Sequence, residues 1–496
     1  MHTKHYTLSF LILLVYGCLQ IWIGNIIPFC NGYGQDGCLY GAITENFYQK
    51  VITEGLNAYH VQRLLPLFIV HYLLKFLQIP LEAFYIIKSF QIFNLLILLG
   101  IQTIWWKICK LQTLNHTLFW VGLILALLNF QIGYNAFYYP IATDYLTYLL
   151  GFLLLYFYLR NWLWGMSVVS FLGAFCWPSF LYFSFFLMLF PYPTHQLSTF
   201  YEKYKTTFNN WIVAAVITIV YFVFVASHIQ GNGIYWSVGL YEDKIEGNFY
   251  SFYVALVINV ALLFAFLRFY VPAFRLMGLL IAEHFLKIVW LRVLAFIVLY
   301  LIVNGLVAQL SLPEPNYIDP LQLPKTIAFY SVLSPLFYLV EATTSMGLIF
   351  LFIILYFKHF FQRSVLHFGT SIYITFFVFV ILRFVPEVRS TINFHPFIVF
   401  LVCYSLQDFF ISKRFLITLG LLSFFLSRVY LSFLPIPPSW HDTSFGLMEG
   451  IFIHTLGWTR DFYLWAKLIT FVLLGTLLVL SKKKIKENFY IQSYLK

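Results

Sequence analysis

The sequence predicts an all-α integral membrane protein with about 14 transmembrane helices. Hydrophobic residues make up 61% of its 496 residues, and charged residues make up only 10%. The mean hydropathy is +0.83, and apolar runs recur from one end of the chain to the other. Because roughly a quarter of the residues in a soluble domain are charged, this composition excludes a soluble globular protein. We expect one membrane domain that comprises residues 1–496.

A transmembrane helix needs about 20 mostly apolar residues, and this length criterion locates the spans. The predicted spans are Tyr6–Ile23, 83–104, 117–133, 141–159, 162–176, 179–191, 211–229, 251–268, 288–310, 327–357, 370–385, 396–411, 415–434 and 464–480. Between the first two spans, Leu64–Leu77 is apolar but short. Its polar residues His71 and Lys75 fall on one helical face with Gln78, which follows the segment. This pattern favours a helix that lies in the membrane interface, with a true span as the alternative.

The basic residues set the orientation, since they gather in cytoplasmic loops. With a cytoplasmic N-terminus, about 19 of the 30 Lys and Arg residues fall inside, among them the run Lys482–Lys486. The same rule explains the net charge of +11 without a nucleic-acid partner. Both termini are therefore predicted to be cytoplasmic, with most acidic residues and the long loops on the outer face. These outer loops are 24–82, 134–144, 230–250, 311–326, 386–395 and 435–463.

The first outer loop begins with a glycine-rich segment between Cys30 and Cys38. Its three glycines allow a tight turn with positive φ angles, and Asp36 lies between two of them. An acid at this position can act as a general base, or it can cap the helix predicted at Leu39–Leu56. Outside a bacterial inner membrane thiols are kept oxidised, so the two cysteines can form a disulfide, with two free thiols as the alternative.

Three further residues of the outer loops are candidates for substrate binding. His60 and Arg63 fall one helical turn apart in the first loop. The planar guanidinium of Arg63 matches a phosphate, and a snorkelling interfacial arginine is the alternative. Asp144 lies at the head of an apolar run, where the helix dipole stabilises an acid and where functional clefts also place ionisable residues. Asp36 and Asp144 thus project to the same face and can surround one site.

Two later arginines depart from the positive-inside rule. Arg383 and Arg389 lie at the outer mouth between two spans, and His395 follows them. A bound anion explains arginines in this position, and a local pair with Glu387 is the alternative. In contrast, the 36 Tyr and 13 Trp residues are interpreted as apolar packing residues of the spans and as aromatic belts at the membrane interface.

In the order and context of these residues, the N-terminal third of the chain resembles the C-type membrane glycosyltransferases (the GT-C superfamily), such as bacterial mannosyl- and arabinosyltransferase-like membrane proteins. Asp36 matches the acid near the start of the first outer loop, the run Arg63–Leu67 matches the end of the interface helices, and Thr143–Tyr145 matches the second acid. The segment Gly173–Pro178 resembles the family's Gly-x-x-x-x-(basic or Pro) run, although Trp177 stands where a basic residue is common. Asp36 also lacks the neighbouring second acid that many members have.

The resemblance implies transfer of a sugar from a polyprenyl-phosphate donor to a lipid, glycan or protein acceptor on the outer face of a bacterial inner membrane. The reaction would be a direct displacement in which Asp36 is the catalytic base. The residues that would bind substrate are Asp144, His60, Arg63, Arg383, Arg389 and His395. A divalent metal, Mg²⁺ or Mn²⁺, held by Asp36 and Asp144 is an open possibility.

Two other classes of function stay open. An O-antigen-type polysaccharide polymerase or ligase uses the same kind of donor but depends on Arg and His residues of late outer loops, not on Asp36. A lipid-linked oligosaccharide flippase or a solute transporter requires broken helices or charged residues deep within spans. Glu341, near Pro335 in a long predicted span, is the strongest residue for that interpretation.

Overall fold

The structure is a computed structural model of the chain, and most of the residues it describes are helical, as the sequence predicts. The described residues are 3–27, 30–190, 210–227, 229–230, 233–238, 241–246, 290–312, 346–365, 367–382, 391–409 and 411–427, with isolated positions within 256–264 and 472–476. The predicted spans 251–268 and 464–480 therefore fall largely outside the described residues. Glu341 and the last outer loop, 435–463, lie entirely outside them.

The first half of the chain contains the elements that build the candidate site. They are α1 (Thr3–Ile23), α2 (Gln35–Glu45), a π-helical turn at Gln49–Glu54, α3 (Ala58–Val61), α4 (Leu64–Phe76), α5 (Ala83–Leu111), α6 (His116–Leu127), a π-helical turn at Phe130–Tyr134, α7 (Asn135–Tyr138), α8 (Asp144–Leu159), α9 (Leu163–Ala174) and α10 (Phe180–Leu189).

The second half adds helices and one small sheet. The elements are α11 (Asn210–Ala226), β1 (Ile229–Gln230), β2 (Gly233–Val238), β3 (Tyr241–Glu246), α12 (Trp290–Leu310), α13 (Ile349–Leu355), α14 (Phe357–Phe360), a π-helical turn at Phe361–Val365, α15 (Gly369–Leu382), α16 (His395–Ser405), a 3₁₀ turn at Leu406–Asp408 and α17 (Lys413–Leu426).

Among the described residues, three helices are long and apolar enough to cross a membrane: α1 with 21 residues, α5 with 29 and α12 with 21. Helix α6 and the following segment Phe130–Tyr138 pass the same test together but are bent by 70°. Several other predicted spans are shorter apolar helices of 10–17 residues, among them α8, α9 and α10. The outward face of α1 exposes large apolar side chains, with Trp22 83% exposed, which suits contact with lipid rather than water.

Helix α5 lies at the centre of this part of the fold and packs against α1, α4, α6 and α8. Its apolar residues enter the core, and its buried amide side chains tie other segments to it. On the α1 side, Gln102 Nε2 donates to Ser9 Oγ at 2.8 Å. On the opposite end, Gln91 Nε2 donates to the carbonyl of Phe137 at 2.9 Å, and Asn94 Nδ2 donates to the carbonyl of Pro140 at 2.8 Å.

The bend after α6 has a local cause in Asn129. Its backbone is extended, with φ −134° and ψ 166°, so the helix ends there. Its side chain then closes both ends of the break, since Oδ1 accepts from the amide of Ile132 at 2.9 Å and Nδ2 donates to the carbonyl of Ala126 at 3.0 Å. The predicted straight span 117–133 is therefore a helix followed by a sharp turn, and that turn leads into the second outer loop.

Helix α4 begins at Leu64 as predicted and ends at Phe76, but its polar stripe is not where the sequence places it. His71 is buried, and its Nδ1 lies 2.7 Å from the carbonyl oxygen of Thr44 in α2. Lys75 and Gln78 stay exposed. The reason is tertiary packing: α2 covers the side of α4 that carries His71, and the hydrogen bond makes this burial possible.

A three-stranded antiparallel sheet with the order β1-β2-β3 lies in the predicted loop 230–250. Strands β2 and β3 pair over their full length, from Gly233 opposite Glu246 to Val238 opposite Tyr241. The residues of β2 are mostly β-branched or aromatic, which favours a strand over a helix. The sequence analysis places no element here, because such short strands lack the long apolar run by which the spans are found.

Two glycines in helices give opposite predictions for stability. A Cβ at Gly122 in α6 would lie 2.0 Å from the ring of Trp105, which is fully buried and donates to the carbonyl of Phe119. We therefore expect Gly122→Ala to lower the free energy of unfolding by about 1–3 kcal/mol. Gly305→Ala in α12 is the matched control, because no described atom lies within 4 Å of that Cβ. It should be neutral or stabilise by up to about 1 kcal/mol.

The comparison is made by thermal unfolding of both variants in the same detergent. If Gly122→Ala were as stable as Gly305→Ala, the close contact between α6 and Trp105 would be wrong.

Candidate active site

The segment before α2 is a tight turn that a disulfide closes. Cys30 and Cys38 are joined, with their Cα atoms 5.7 Å apart, so the structure has the disulfide alternative rather than two free thiols. Gly32 and Gly34 have the positive φ angles that their positions predict, at 91° and 80°, whereas Gly37 lies within α2. At Gly34 a Cβ would lie 2.3 Å from the ring of Tyr139, so both the φ angle and the contact require glycine.

Asp36 is the second residue of α2 and is half-buried. The helix begins four residues earlier than predicted, and its N-cap is Gly34, with no side-chain hydrogen bond at the cap. Asp36 therefore does not cap this helix, which was the alternative to a functional role. Its carboxylate instead lies in the first turn, where the helix dipole favours negative charge.

The other end of α2 is fixed by Tyr33 and Glu45. The Tyr33 hydroxyl donates to Glu45 Oε1 at 2.6 Å. Burial, together with this carboxylate, raises the pKa of Tyr33 above its usual value, so the hydroxyl stays protonated as a donor. The ring of Tyr33 also packs on Gly41, where a Cβ would lie 2.4 Å from it. Helix α2, and Asp36 with it, is thus held from both ends.

Tyr139 joins the loop of Asp36 to the loop of Asp144. Its hydroxyl accepts a hydrogen bond from the amide of Gly37 at 2.9 Å, next to Asp36. Its carbonyl accepts from the Tyr145 hydroxyl at 2.9 Å, next to Asp144. The sequence analysis predicts that these two acids share a site, and one buried tyrosine side chain links their segments. The tyrosine itself was missed, because aromatic residues were treated as filler.

Asp144 is the first residue of α8 and is 1% exposed. Tyr148 and Gly151 follow it at i+4 and i+7, so the three share one face of the helix. On that face the Tyr148 hydroxyl lies 2.9 Å from His395 Nδ1 and donates to the carbonyl of Ala126 at 3.1 Å. The Tyr148 hydroxyl therefore joins α8 both to His395 and to the backbone before the break at Asn129.

Arg63 is buried among aromatic rings at the end of α3. It is 1% exposed, and its guanidinium carbon lies 4.1 Å from the ring centroid of Tyr59 and 4.0 Å from that of Trp177. It donates from Nη1 to the Tyr40 hydroxyl at 2.9 Å and from Nη2 to the Tyr59 hydroxyl. The snorkelling alternative for Arg63 is therefore wrong, since its charge is inside the protein and not at a surface. His60 lies beside it, with its ring 6.3 Å from that of Tyr40.

These contacts form a closed circuit. Tyr40 lies one helical turn after Asp36 on α2 and binds Arg63, which stacks on Trp177. Two residues later, Ser179 accepts a hydrogen bond from Asn393 Nδ2 at 3.4 Å. The carbonyl of Asn393 lies against Gly151 on the face of α8 that carries Asp144 and Tyr148.

The circuit returns from α8 through Tyr145 and Tyr139 to Gly37, beside Asp36. It connects the four separate segments that carry the predicted site residues Asp36, Arg63, Asp144 and His395. The predicted residues Arg383 and Arg389 lie outside the described residues. The members that sequence reasoning missed are Tyr40, Tyr139, Tyr148, Trp177 and Asn393. The i+4 spacing of Asp36 and Tyr40 was the one available signal.

Among the described residues, the metal-ligating side chains of His, Cys, Asp and Glu do not cluster in groups of three or more that could hold a metal ion. The predicted Mg²⁺ or Mn²⁺ ion between Asp36 and Asp144 thus lacks a third such ligand in the described part of the chain, and we derive no chemical step through a metal.

Comparisons with protein families, with curated proteins and with solved structures found no match to this chain.

The environment of Arg63 predicts that lysine cannot replace it. Lysine keeps the charge but cannot stack a planar group between two rings while donating to two hydroxyls. We expect Arg63→Lys to lower the free energy of unfolding by about 1–3 kcal/mol. Arg160→Lys is the matched control, because Arg160 also donates to a tyrosine hydroxyl, that of Tyr156 at 3.0 Å, but is exposed. That change should stay within about 0.5 kcal/mol.

Thermal unfolding of the two variants in one detergent measures this difference. Equal stability of the two variants would contradict the buried, stacked environment of Arg63.

Proposed function

We propose that this protein is a polytopic membrane glycosyltransferase of the GT-C type. It transfers a sugar from a polyprenyl-phosphate donor to a lipid, glycan or protein acceptor. The observation that carries the proposal is the closed circuit of contacts around Asp36, Arg63, Asp144 and His395. These contacts connect the segments of a half-buried acid and a buried cation, which serve such a displacement as base and as stabilising charge.

In the proposed reaction, Asp36 takes the proton from the acceptor hydroxyl. The acceptor oxygen attacks the anomeric carbon of the sugar, and the bond between that carbon and the phosphate oxygen breaks. The electron pair leaves with the polyprenyl phosphate, which needs no strong acid because it departs as a stable anion. Arg63 supplies fixed positive charge that favours this developing anion. Its burial strengthens the effect, since charges interact more strongly away from water.

The position of Arg63 also bears on Trp177, where the sequence departs from the GT-C pattern. The GT-C resemblance leads us to expect a basic residue at that position, and tryptophan stands there instead. The guanidinium of Arg63 lies 4.0 Å from the centroid of the Trp177 ring. A cation is therefore present beside this position, although it comes from another segment. This placement supports the proposed role of Arg63 in binding the donor phosphate.

The membrane topology belongs to the same proposal. We propose about 14 spans, both termini in the cytoplasm and the site on the outer face of a bacterial inner membrane. Three apolar helices of spanning length and a series of shorter apolar helices support a membrane location. The disulfide beside Asp36 supports an oxidising compartment for this loop.

A polysaccharide polymerase or ligase is the second candidate. His395 from a late segment is part of the site and is bound to Tyr148, and the polymerase interpretation predicts such a late histidine. Helix α6 and the segment Phe130–Tyr138 form a broken helix, and transporters also contain broken helices. A flippase or solute transporter is therefore a further alternative.

The test of the base is Asp36→Asn, assayed for transfer in membranes with a panel of polyprenyl-phosphate sugars. We expect turnover to fall by about 10²–10⁴-fold at unchanged protein level, since the amide cannot accept the proton. Glu45→Gln at the other end of α2 is the matched control, because the Gln oxygen still accepts from Tyr33, and its turnover should be retained.

Turnover that survives Asp36→Asn would remove Asp36 as the base and favour the polymerase or ligase. Absence of turnover in the wild type with every donor would favour transport, which a substrate-flux assay then tests.

A further inference from the structure

Four buried residues near the site carry polar atoms with no hydrogen-bond partner among the described residues. These atoms are Gln131 Nε2, both amide atoms of Asn135, Thr143 Oγ1 and Asn393 Oδ1. None of the four residues is more than 2% exposed. Buried polar atoms are almost always paired, because leaving them unpaired costs free energy. A group of them in one region of a fold therefore points to a ligand that pairs with them.

All four residues lie in segments that precede α8 in the chain or contact it. Thr143 precedes this helix directly. Asn393 has its carbonyl against Gly151, two turns into the helix. Gln131 and Asn135 follow the break at Asn129, and the Tyr148 hydroxyl of α8 binds the carbonyl of Ala126 just before that break.

Each of these segments also contributes to the circuit around the candidate active site. Asn135 lies one turn before Tyr139, whose hydroxyl binds the amide next to Asp36. Thr143 is adjacent to Asp144, and Asn393 is two residues before His395. The residues that carry the unpaired atoms therefore belong to the same segments as the proposed site residues.

The chemistry of the four side chains identifies the class of ligand. They are amides and a hydroxyl, so they offer donors and acceptors and carry no charge. A phosphate would pair with the donors but would leave acceptors such as Asn393 Oδ1 unpaired, and an apolar chain would leave all of them unpaired. A sugar ring presents several hydroxyl groups, each of which donates and accepts.

We propose that Gln131, Asn135, Thr143 and Asn393 bind the hydroxyl groups of the sugar ring and thereby select the transferred sugar. This inference rests on the proposed function, since it assigns the sugar half of the donor to these residues and the phosphate half to the cationic part of the site.

The experiment compares two probes in lipid nanodiscs that contain the full chain. One probe is a polyprenyl phosphate that carries the hexose with the best binding in a panel, and the other is the same polyprenyl phosphate without sugar. Thr143→Val keeps the shape of the side chain and removes the hydroxyl, and Asn135→Leu removes both amide atoms. We expect each variant to bind the sugar-bearing probe about 10-fold more weakly and the sugar-free probe with unchanged affinity.

Thermal stability without ligand is the second readout. If these atoms pair only with a bound ligand, their apolar replacements should leave the unfolding temperature unchanged or raise it. The reason is that each replacement removes a buried polar group that is unpaired in the ligand-free protein. If structural waters pair them instead, removal of the polar atoms should lower that temperature, which overturns the proposal. Thr375→Val is the matched control, because the buried Thr375 hydroxyl already donates to the carbonyl of Ser371 at 2.6 Å.

The outcomes separate this inference from the proposed function. The sugar site is overturned if the variants bind both probes equally weakly, or if the wild type binds both probes with equal affinity. Either result leaves the proposed polyprenyl-phosphate donor in place. A wild type that binds neither probe overturns the proposed function and this inference with it.

Discussion

In a chain as apolar as this one, each break in a helix must be paired inside the protein, and the break between α6 and α8 is the one on which the site depends. Its carbonyls are bound by side chains that arrive from other helices. Gln91 and Asn94 of α5 bind Phe137 and Pro140, and the Tyr16 hydroxyl of α1 binds Gly133 at 2.9 Å. Without such donors, the carbonyls at this break would cost too much free energy to bury.

This paired break fixes the position of Tyr139, and Tyr139 fixes the position of α2. The hydroxyl of Tyr139 binds an amide in the first turn of α2, and its ring fills the space that Gly34 leaves open. The disulfide and the Tyr33–Glu45 pair then hold the rest of that segment. Asp36, in the first turn of α2, is thus held in place through both ends of that helix, as a catalytic base requires.

The predictable part of the fold is the part that local pattern determines. Apolar runs locate α1, α5 and α12, because length and composition alone mark a helix that can cross a membrane. The glycines and the adjacent acid locate the turn at Asp36, because a positive φ angle is a local requirement. Cysteine spacing permitted the disulfide but did not decide it.

The rest depends on contacts between segments far apart in sequence. His71 lies on a helical face that seems polar from its neighbours, yet α2 covers it and pairs it with Thr44. Trp177, Tyr148 and Asn393 have no distinguishing pattern of their own in a chain with 22% aromatic residues. They become part of the site only because Arg63, His395 and Ser179 reach them. Composition alone therefore does not distinguish the aromatic and amide residues that join the segments of the site.

The two acids of the site differ in their surroundings, and the proposed division of roles follows from that difference. Asp144 is 1% exposed at the start of a buried helix, beside a hydrogen-bonded histidine and tyrosine. Asp36 is half-buried in the first turn of α2. A glycan or protein acceptor is large and must approach from outside, so the acid that it can reach is Asp36. The sugar and its phosphate are attached to a lipid and can enter among the helices, where Asp144, Arg63 and the uncharged amides lie. In the proposed reaction the half-buried acid is consequently suited to take the acceptor's proton, and the fully buried groups are suited to hold the donor.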